Sequence, residues 1–558
     1  MKLGKFKEIV LLALVILLSI FLRFYKLGSI PNGLYVDEAL TGYNAFSILL
    51  TGKDEYGKFL PLAFRFFGSY SPPFYVYLTV VAVKIFGLSI FSTRFFSAAF
   101  GVIGVILVYF FLKYSDLFKL KYLPLIGAFL FSISPWAIFF SRAGYEINFG
   151  FIVLSLGILF LWLGLRKIKL IPLAYIFLSL SSYGSHLNRY LIPILAALSL
   201  VYFKKELFSK AAKRFTTLGL IFAFLIQIPN LYLFLTPAFN TKDDLFYQDL
   251  LTTQSSKIHG LLPQFLSYPL SLTREFLARY LTYFSSRSLF LLEDPDIQRS
   301  APGLSSFYFW MVIPYLAGLY ELYKERKDSF IKFIIFLLLA FPVPLALTSD
   351  PFSFQRGLHM LFPLIVVITI GMGTLFKKYG KIAFLFFILL SLISFIFLWR
   401  SYFVLLPFER AKVWGYGFDK LTQEIVNNPK ITYVIDQERI KPFYIEFAFF
   451  SKLSPEKLQN SVGGKIKENY YTNIVFNSSY KFQNIETRGI EWEKDIYKEQ
   501  ILVGDELTIS ESQAKEHFLT KVFEIRDPAN EIVFIGYKTD PTTKCLRTNF
   551  ESIYCRKI

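Results

Sequence analysis

The chain has 558 residues, a formal net charge of +19, 54% hydrophobic residues and a mean hydropathy of +0.46. That much apolar material, gathered into long runs, excludes an ordinary soluble domain. The cationic residues fall between the runs, a pattern that sets membrane topology and meets lipid phosphates rather than nucleic acid.

Taken in order, the chain opens with Lys2, Lys5 and Lys7 ahead of a Leu/Ile/Val run. No small-residue cleavage site follows, and many further runs do, so this segment reads as a retained anchor with a cytosolic N-terminus. Runs long enough to cross a bilayer lie near 9–25, 95–112, 122–140, 147–165, 215–236, 305–323, 331–347, 357–376 and 382–404. Two shorter runs, 170–184 and 190–203, flank Ser185-His186-Leu187-Asn188-Arg189. The run 72–87 is expected to lie in the interface as an amphipathic helix starting at Pro72-Pro73; counted as a span, it would invert every later loop.

These choices predict a polytopic α-helical membrane protein with eleven spans over 1–404. The Lys/Arg-rich turns near 113–121, 166–169, 204–214, 324–332 and 377–381 then face the cytosol. The outer face receives the loop 26–94, the segments 141–146 and 185–189, the long loop 237–304 and the segment 349–356. The loop 237–304 is too long for a plain connector, and helical periodicity over 262–290 places its middle along the membrane surface.

After Phe403 the composition changes. Short β-like runs at 431–435, 473–476 and 531–536 alternate with polar helical stretches such as 419–427, which predicts a soluble, extracytoplasmic α/β domain over 405–558. It holds no phosphate loop or nucleophile elbow, so support or acceptor recognition is expected of it rather than chemistry. The sequon Asn477-Ser478-Ser479 matters only where N-glycosylation occurs. Cys545 and Cys555 form a local disulfide if this end is extracytoplasmic and are bystanders otherwise.

The chemistry concentrates in Pro31-Asn32-Gly33-Leu34-Tyr35-Val36-Asp37-Glu38-Ala39-Leu40-Thr41-Gly42-Tyr43. Two adjacent carboxylates at the exit of a span are costly unless paired, hydrated or used. One reading is a solvated acid pair at a helix start; the other is a base that takes the proton of an acceptor hydroxyl attacking an anomeric carbon. Adjacent side chains diverge, so one carboxylate, Asp37, faces the reaction, and Glu38 bonds to structure or helps hold a metal. Tyr35 and Tyr43 sit in the same motif as candidate substrate contacts.

Arg142 and Glu146 bracket Ala143-Gly144-Tyr145 and admit two readings: an ion pair supporting the next helix, or a second acidic site with Arg142 on a phosphate. Expelling a phosphate from a sugar needs cations aimed at the developing charge. Arg94, Arg142, Arg279, Arg287 and Arg356 are the candidates for the donor phosphate, and His186, Arg189 and His259 for substrate contact. Snorkelling and headgroup contact account for most other outer cations. Four histidines without metal-ligand spacing point away from a His-based metal site.

The acidic pair after the first span, Ser71-Pro72-Pro73-Phe74, Ser92-Thr93-Arg94-Phe95-Phe96-Ser97-Ala98 and Ser141-Arg142 with Glu146 together resemble the GT-C glycosyltransferases over roughly residues 1–400. The branches most similar are the protein O-mannosyltransferases, the aminoarabinose transferases (ArnT) and the RgtA/B/C/D-like group. The resemblance implies inverting transfer of a sugar from a polyprenyl-phosphate donor to a glycan, lipid or protein acceptor on the outer face. It places the base at Asp37, the neighbouring acid at Glu38 and the second-loop acid at Glu146. Ser71 stands where many relatives have His, which departs from any His-assisted role, and a divalent cation is used by some members only. A transporter or flippase of lipid-linked sugars would show internal repeats, which this sequence lacks; a surface-glycan polymerase or ligase would share the donor chemistry.

Overall fold

The computed structural model describes residues 2–115, 122–239, 247–258, 262–440, 442–472, 479–547 and 553–557. They form two compact units. One comprises residues 1–26, 71–75 and 94–404; the other comprises 27–70, 76–93 and 405–558.

The first unit is helical. Among the described residues, Ile90–Lys113, Glu146–Gly164, Lys213–Phe234 and the run Arg356–Glu409 are long and apolar enough to cross a membrane, and two bent pairs raise the number to as many as six if each is one span. One pair, Leu123–Ile133 and Pro135–Arg142, bends by 55° where the sequence predicts a single straight run. The cause is Ser134-Pro135: proline supplies no N–H to the preceding turn, and the Ser134 hydroxyl accepts the Ala137 N–H to restart the helix. The other pair, Phe309–Lys324 and Ser329–Leu345, turns through 119°. Asp328 caps its second arm by accepting the N–H groups of Phe330 and Ile331 at 2.8 and 3.0 Å.

The run beginning at Arg356 folds back on itself. Gly380 sits at φ 55°, ψ −126°, outside helical geometry. Residues eleven apart along one helix are about 16 Å apart, yet the Phe376 and Phe387 ring centroids lie 5.7 Å apart. The expected turn at 377–381 is therefore a hairpin between two helices. Against its first arm, the helix Val312–Lys324 packs with its backbone nearly touching. A Cβ on Gly371 would fall 1.8 Å from the Pro314 carbonyl oxygen, and one on Gly318 would fall 2.1 Å from that of Val367. Outward-facing apolar side chains such as Phe224, Leu385 and Ile396 are more than half exposed, as lipid contact requires. The helix Phe74–Phe86 has 13 residues; about 20 Å long, it falls short of the ~30 Å hydrocarbon core.

The expected helix in the long loop is present as Gln264–Thr282 followed by Ser286–Phe290.

The second unit is built on a six-stranded mixed sheet. Its order is Tyr480–Phe482, Ile485–Thr487, Tyr433–Ile435, Ile501–Gly504, Ile532–Lys538, Thr520–Arg526. The three middle-left strands, 485–487, 433–435 and 501–504, run parallel, and antiparallel neighbours close both sides. Val434, Leu502, Ile535 and Tyr537 build one core face with Ile509 and Ala514. The β-like run 473–476 and Asn477 and Ser478 of the sequon lie outside the described residues. Cys545 and Cys555, both buried, form a disulfide.

Candidate active site

In the second unit, the motif around Asp37 is a loop running into the helix Val36–Thr51. Asn32 donates to the Pro407 carbonyl at 3.3 Å. Gly33, at φ 115°, lies so close to 414–416 that a Cβ would meet the Trp414 carbonyl oxygen at 2.5 Å. The Tyr35 ring packs edge-on against Trp414, centroids 6.2 Å apart.

The motif's residues then divide by task. Glu38 is fully buried, and its Oε2 accepts the Tyr35 N–H at 3.2 Å, which caps the helix start. Tyr43, also buried, donates its hydroxyl to the Leu453 carbonyl at 3.0 Å. Gly42 leaves room for Phe449 and Thr93, each 2.5 Å from where a Cβ would stand. Asp37 is half-buried on the first helical turn, where the helix dipole favours a carboxylate.

In the first unit the candidate cations separate more sharply. Arg142 is fully buried; it donates to the carbonyls of Leu22, Arg23 and Tyr25 at 2.9, 2.9 and 2.8 Å, closing the end of the helix Lys2–Phe24. Its guanidinium also stacks on Tyr402 and Phe403, 5.2 and 4.9 Å from their centroids. Arg279 donates to the Thr348 and Ser349 carbonyls at 3.1 and 2.6 Å and pairs with Glu275 at 3.6 Å. Arg356 pairs with Asp350 at 3.0 Å, and Arg299 reaches the same carboxylate at 3.7 Å. Arg287 is exposed, and Arg94 is fully buried. Glu146 opens the helix Glu146–Gly164 and His186 opens His186–Tyr202, both half-buried.

Arg189 differs from all of these. It is 7% exposed, its guanidinium lies 5.1 Å from the Phe239 ring, and none of its three side-chain nitrogens has a hydrogen-bond partner among the described residues. A buried cation without a partner is among the costliest arrangements a protein tolerates. His259 lies outside the described residues.

Two sets of residues were not singled out by the sequence. Arg23, fully buried, donates to Ser19 Oγ and the Ser132 carbonyl at 2.9 and 3.1 Å. In the second unit, Asp54 and Glu55 are buried beneath a set of tyrosines. Tyr470 donates to Asp54 at 2.5 Å, and the Tyr56 and Tyr444 hydroxyls lie 3.2 Å apart. Burial pushes Asp54 up to about 6 against the opposing bond from Tyr470, and burial beside Asp54 pushes Glu55 well above the carboxylate range. The signal was a second adjacent acid pair, Asp54-Glu55, beyond the first in the chain. Among the described residues no group of three or more His, Cys, Asp or Glu side chains could hold a metal ion.

The fold is similar to that of solved oligosaccharyltransferases, at low sequence identity. Among the likenesses are two structures of an Archaeoglobus fulgidus oligosaccharyltransferase, the first of them named AglB. In complex with an inhibitory peptide and a dolichol-phosphate, it aligns with a TM-score of 0.50 at 15% identity over 80% of this chain. Tethered to an acceptor peptide containing the NVT sequon, it aligns with a TM-score of 0.52 at 14% identity over 96% of this chain and 74% of that one. This chain spans 64% of the length of the first of these. ArnT from Cupriavidus metallidurans bound to undecaprenyl phosphate aligns over 95% of this chain and 97% of its own at 11% identity, with a TM-score of 0.44. No family model and no curated protein sequence matches the chain.

Proposed function

We propose that the chain is an inverting glycosyltransferase that moves a sugar from a polyprenyl-phosphate donor to an acceptor hydroxyl on the extracytoplasmic face. The observation that carries this reading is Arg189, a buried guanidinium in an apolar helical unit with no hydrogen-bond partner among the described residues. Such a group awaits an anion, and the phosphate of a lipid-linked sugar is one that reaches a membrane-embedded site. Arg142, Arg279 and Arg356 each spend donors on carbonyls or carboxylates of the chain, so Arg189 ranks ahead of them as the phosphate contact.

In the proposed reaction, Asp37 takes the proton of the acceptor hydroxyl as its oxygen attacks the anomeric carbon. The bond from that carbon to the phosphate oxygen breaks on the opposite face, which inverts the configuration. The polyprenyl phosphate leaves with the electron pair, and Arg189 meets the added charge. Glu146 is the second acid of the proposed chemistry, and Glu38 keeps the helix start that carries Asp37 in place. The proposal extends to eleven membrane crossings, a cytosolic N-terminus and an extracytoplasmic second unit. The Cys545–Cys555 bond supports that side, since disulfides persist in oxidising compartments.

The test is a transfer assay with purified protein and a panel of polyprenyl-phosphate sugars. Asp37→Asn should lower turnover by about 100-fold or more while donor binding stays at the wild-type level. Near-normal turnover in Asp37→Asn would remove the base assignment.

A further inference from the structure

The sheet of the second unit has a binding feature that sugar transfer from a lipid does not use. Its parallel core places Tyr433–Ile435 between Ile485–Thr487 and Ile501–Gly504. The chain leaves the central strand for one neighbour, then crosses back to the other, so the connections diverge beyond the carboxyl ends. In open α/β sheets this divergence leaves a ligand crevice. Here it opens as a crevice of ≈ 680 Å³, within the size range of small-ligand sites.

Residues from just past each strand end line the crevice: Asp436, Arg488 and Thr508, joined by Glu438, Ser479 and Trp492. Several are fixed in place. Asp436 is buried, and its Oδ2 accepts the Arg439 N–H at 3.0 Å and the Thr508 hydroxyl at 3.4 Å. Arg488 forks onto Asp495 at 2.7 and 2.8 Å, with Nε on Glu486 at 3.0 Å. Trp492 is braced by stacking on His517, centroids 5.0 Å apart and 23° from parallel. Glu438 is exposed instead, and its carboxylate makes no hydrogen bond or ion pair among the described residues. It lies over Gly489, where a Cβ would come within 3.2 Å of its Oε1. A larger residue at 489 would narrow the floor at that point.

The lining therefore offers the carboxylates of Asp436, Glu438 and Glu491 as acceptors, the Arg439 guanidinium as a donor, and an indole in one wall. Acidic and basic groups nearly cancel, so an anionic ligand gains little. A ligand whose hydroxyls both donate and accept, and whose C–H face can lie on an aromatic ring, meets all three elements. We propose that this crevice binds a neutral saccharide. The inference concerns binding by the second unit alone and stands whether or not the chain transfers sugars.

The test uses the full chain in a detergent without a sugar headgroup, applied to arrays of neutral oligosaccharides, acidic oligosaccharides and peptides. The expected result is retention of one or more neutral oligosaccharides, at least tenfold weaker in Glu438→Ala and in Trp492→Ala. Glu438 is exposed, so its variant decides the matter if Trp492→Ala does not fold. Asp37→Asn should bind the same saccharide as the wild type does, which keeps this outcome apart from the fate of the catalytic assignment. Retention of peptides or acidic glycans only, or neutral-saccharide binding indifferent to Glu438→Ala, would overturn the proposal.

Discussion

The two units answer several of their cations differently. In the sheet unit, cations meet carboxylates: Arg488 on Asp495, Arg439 on Asp505 at 3.1 Å. In the helical unit, Arg142 and Arg279 are answered mostly by backbone carbonyls, at helix or loop ends where those oxygens have no helical partner. Carbonyls neutralise no charge, but they satisfy donors without adding a second ion to an apolar setting. Arg189, in that unit, has neither answer among the described residues.

That contrast can be broken most forcefully at Arg142. Removing it strips the donor from three carbonyls, each lost partner costing about 1–3 kcal/mol, so Arg142→Leu should lower the melting temperature in detergent steeply or abolish folded yield. Arg189→Leu should leave the melting temperature unchanged or raise it, because it replaces a buried cation without a partner by an apolar side chain. Equal losses in both variants would show that Arg189 is structural too.

A smaller effect sharpens the contrast from the sheet side. Asp54 holds its proton up to about 6 in the folded unit, whereas an unfolded carboxyl releases it near 4. Between those values the folded state binds more protons than the unfolded one, so stability falls as pH rises from about 4 to about 6. Hydrogen exchange over 52–70, corrected for intrinsic rates, should show less protection at pH 7 than at pH 4.5, and Asp54→Asn should flatten the difference. An increase in protection toward pH 7 would mean that Asp54 is ionised and paired. Smallest is the effect of thiol labelling: Cys545 and Cys555 should take up maleimide in the unfolded chain only after a reductant is added.

Much of the fold was legible because membrane helices announce themselves by length and apolar content. The turn at 377–381 was readable from Lys377, Lys378 and Lys381, and Gly380 makes it. Ser134-Pro135 carried the bend that the count of apolar residues overlooked. Strands Tyr480–Phe482 and Ile485–Thr487 were missed because three residues are too few to show alternation. Within the site, Glu38 sits three residues from the position it caps, a spacing that sequence can show. The work of Arg142 could not be read, since its acceptors lie 117 to 120 positions away. Nor could the condition of Arg189, which depends on what surrounds it rather than on its neighbours in the chain.

The central claim is that Arg189 is reserved for the phosphate of a lipid carrier. The direct measurement is the affinity of purified protein for polyprenyl phosphate, wild type against Arg189→Gln, with folding matched by melting temperature. Binding should be at least tenfold weaker in the variant at unchanged stability; equal affinity in the two proteins would mean that Arg189 does not hold the phosphate.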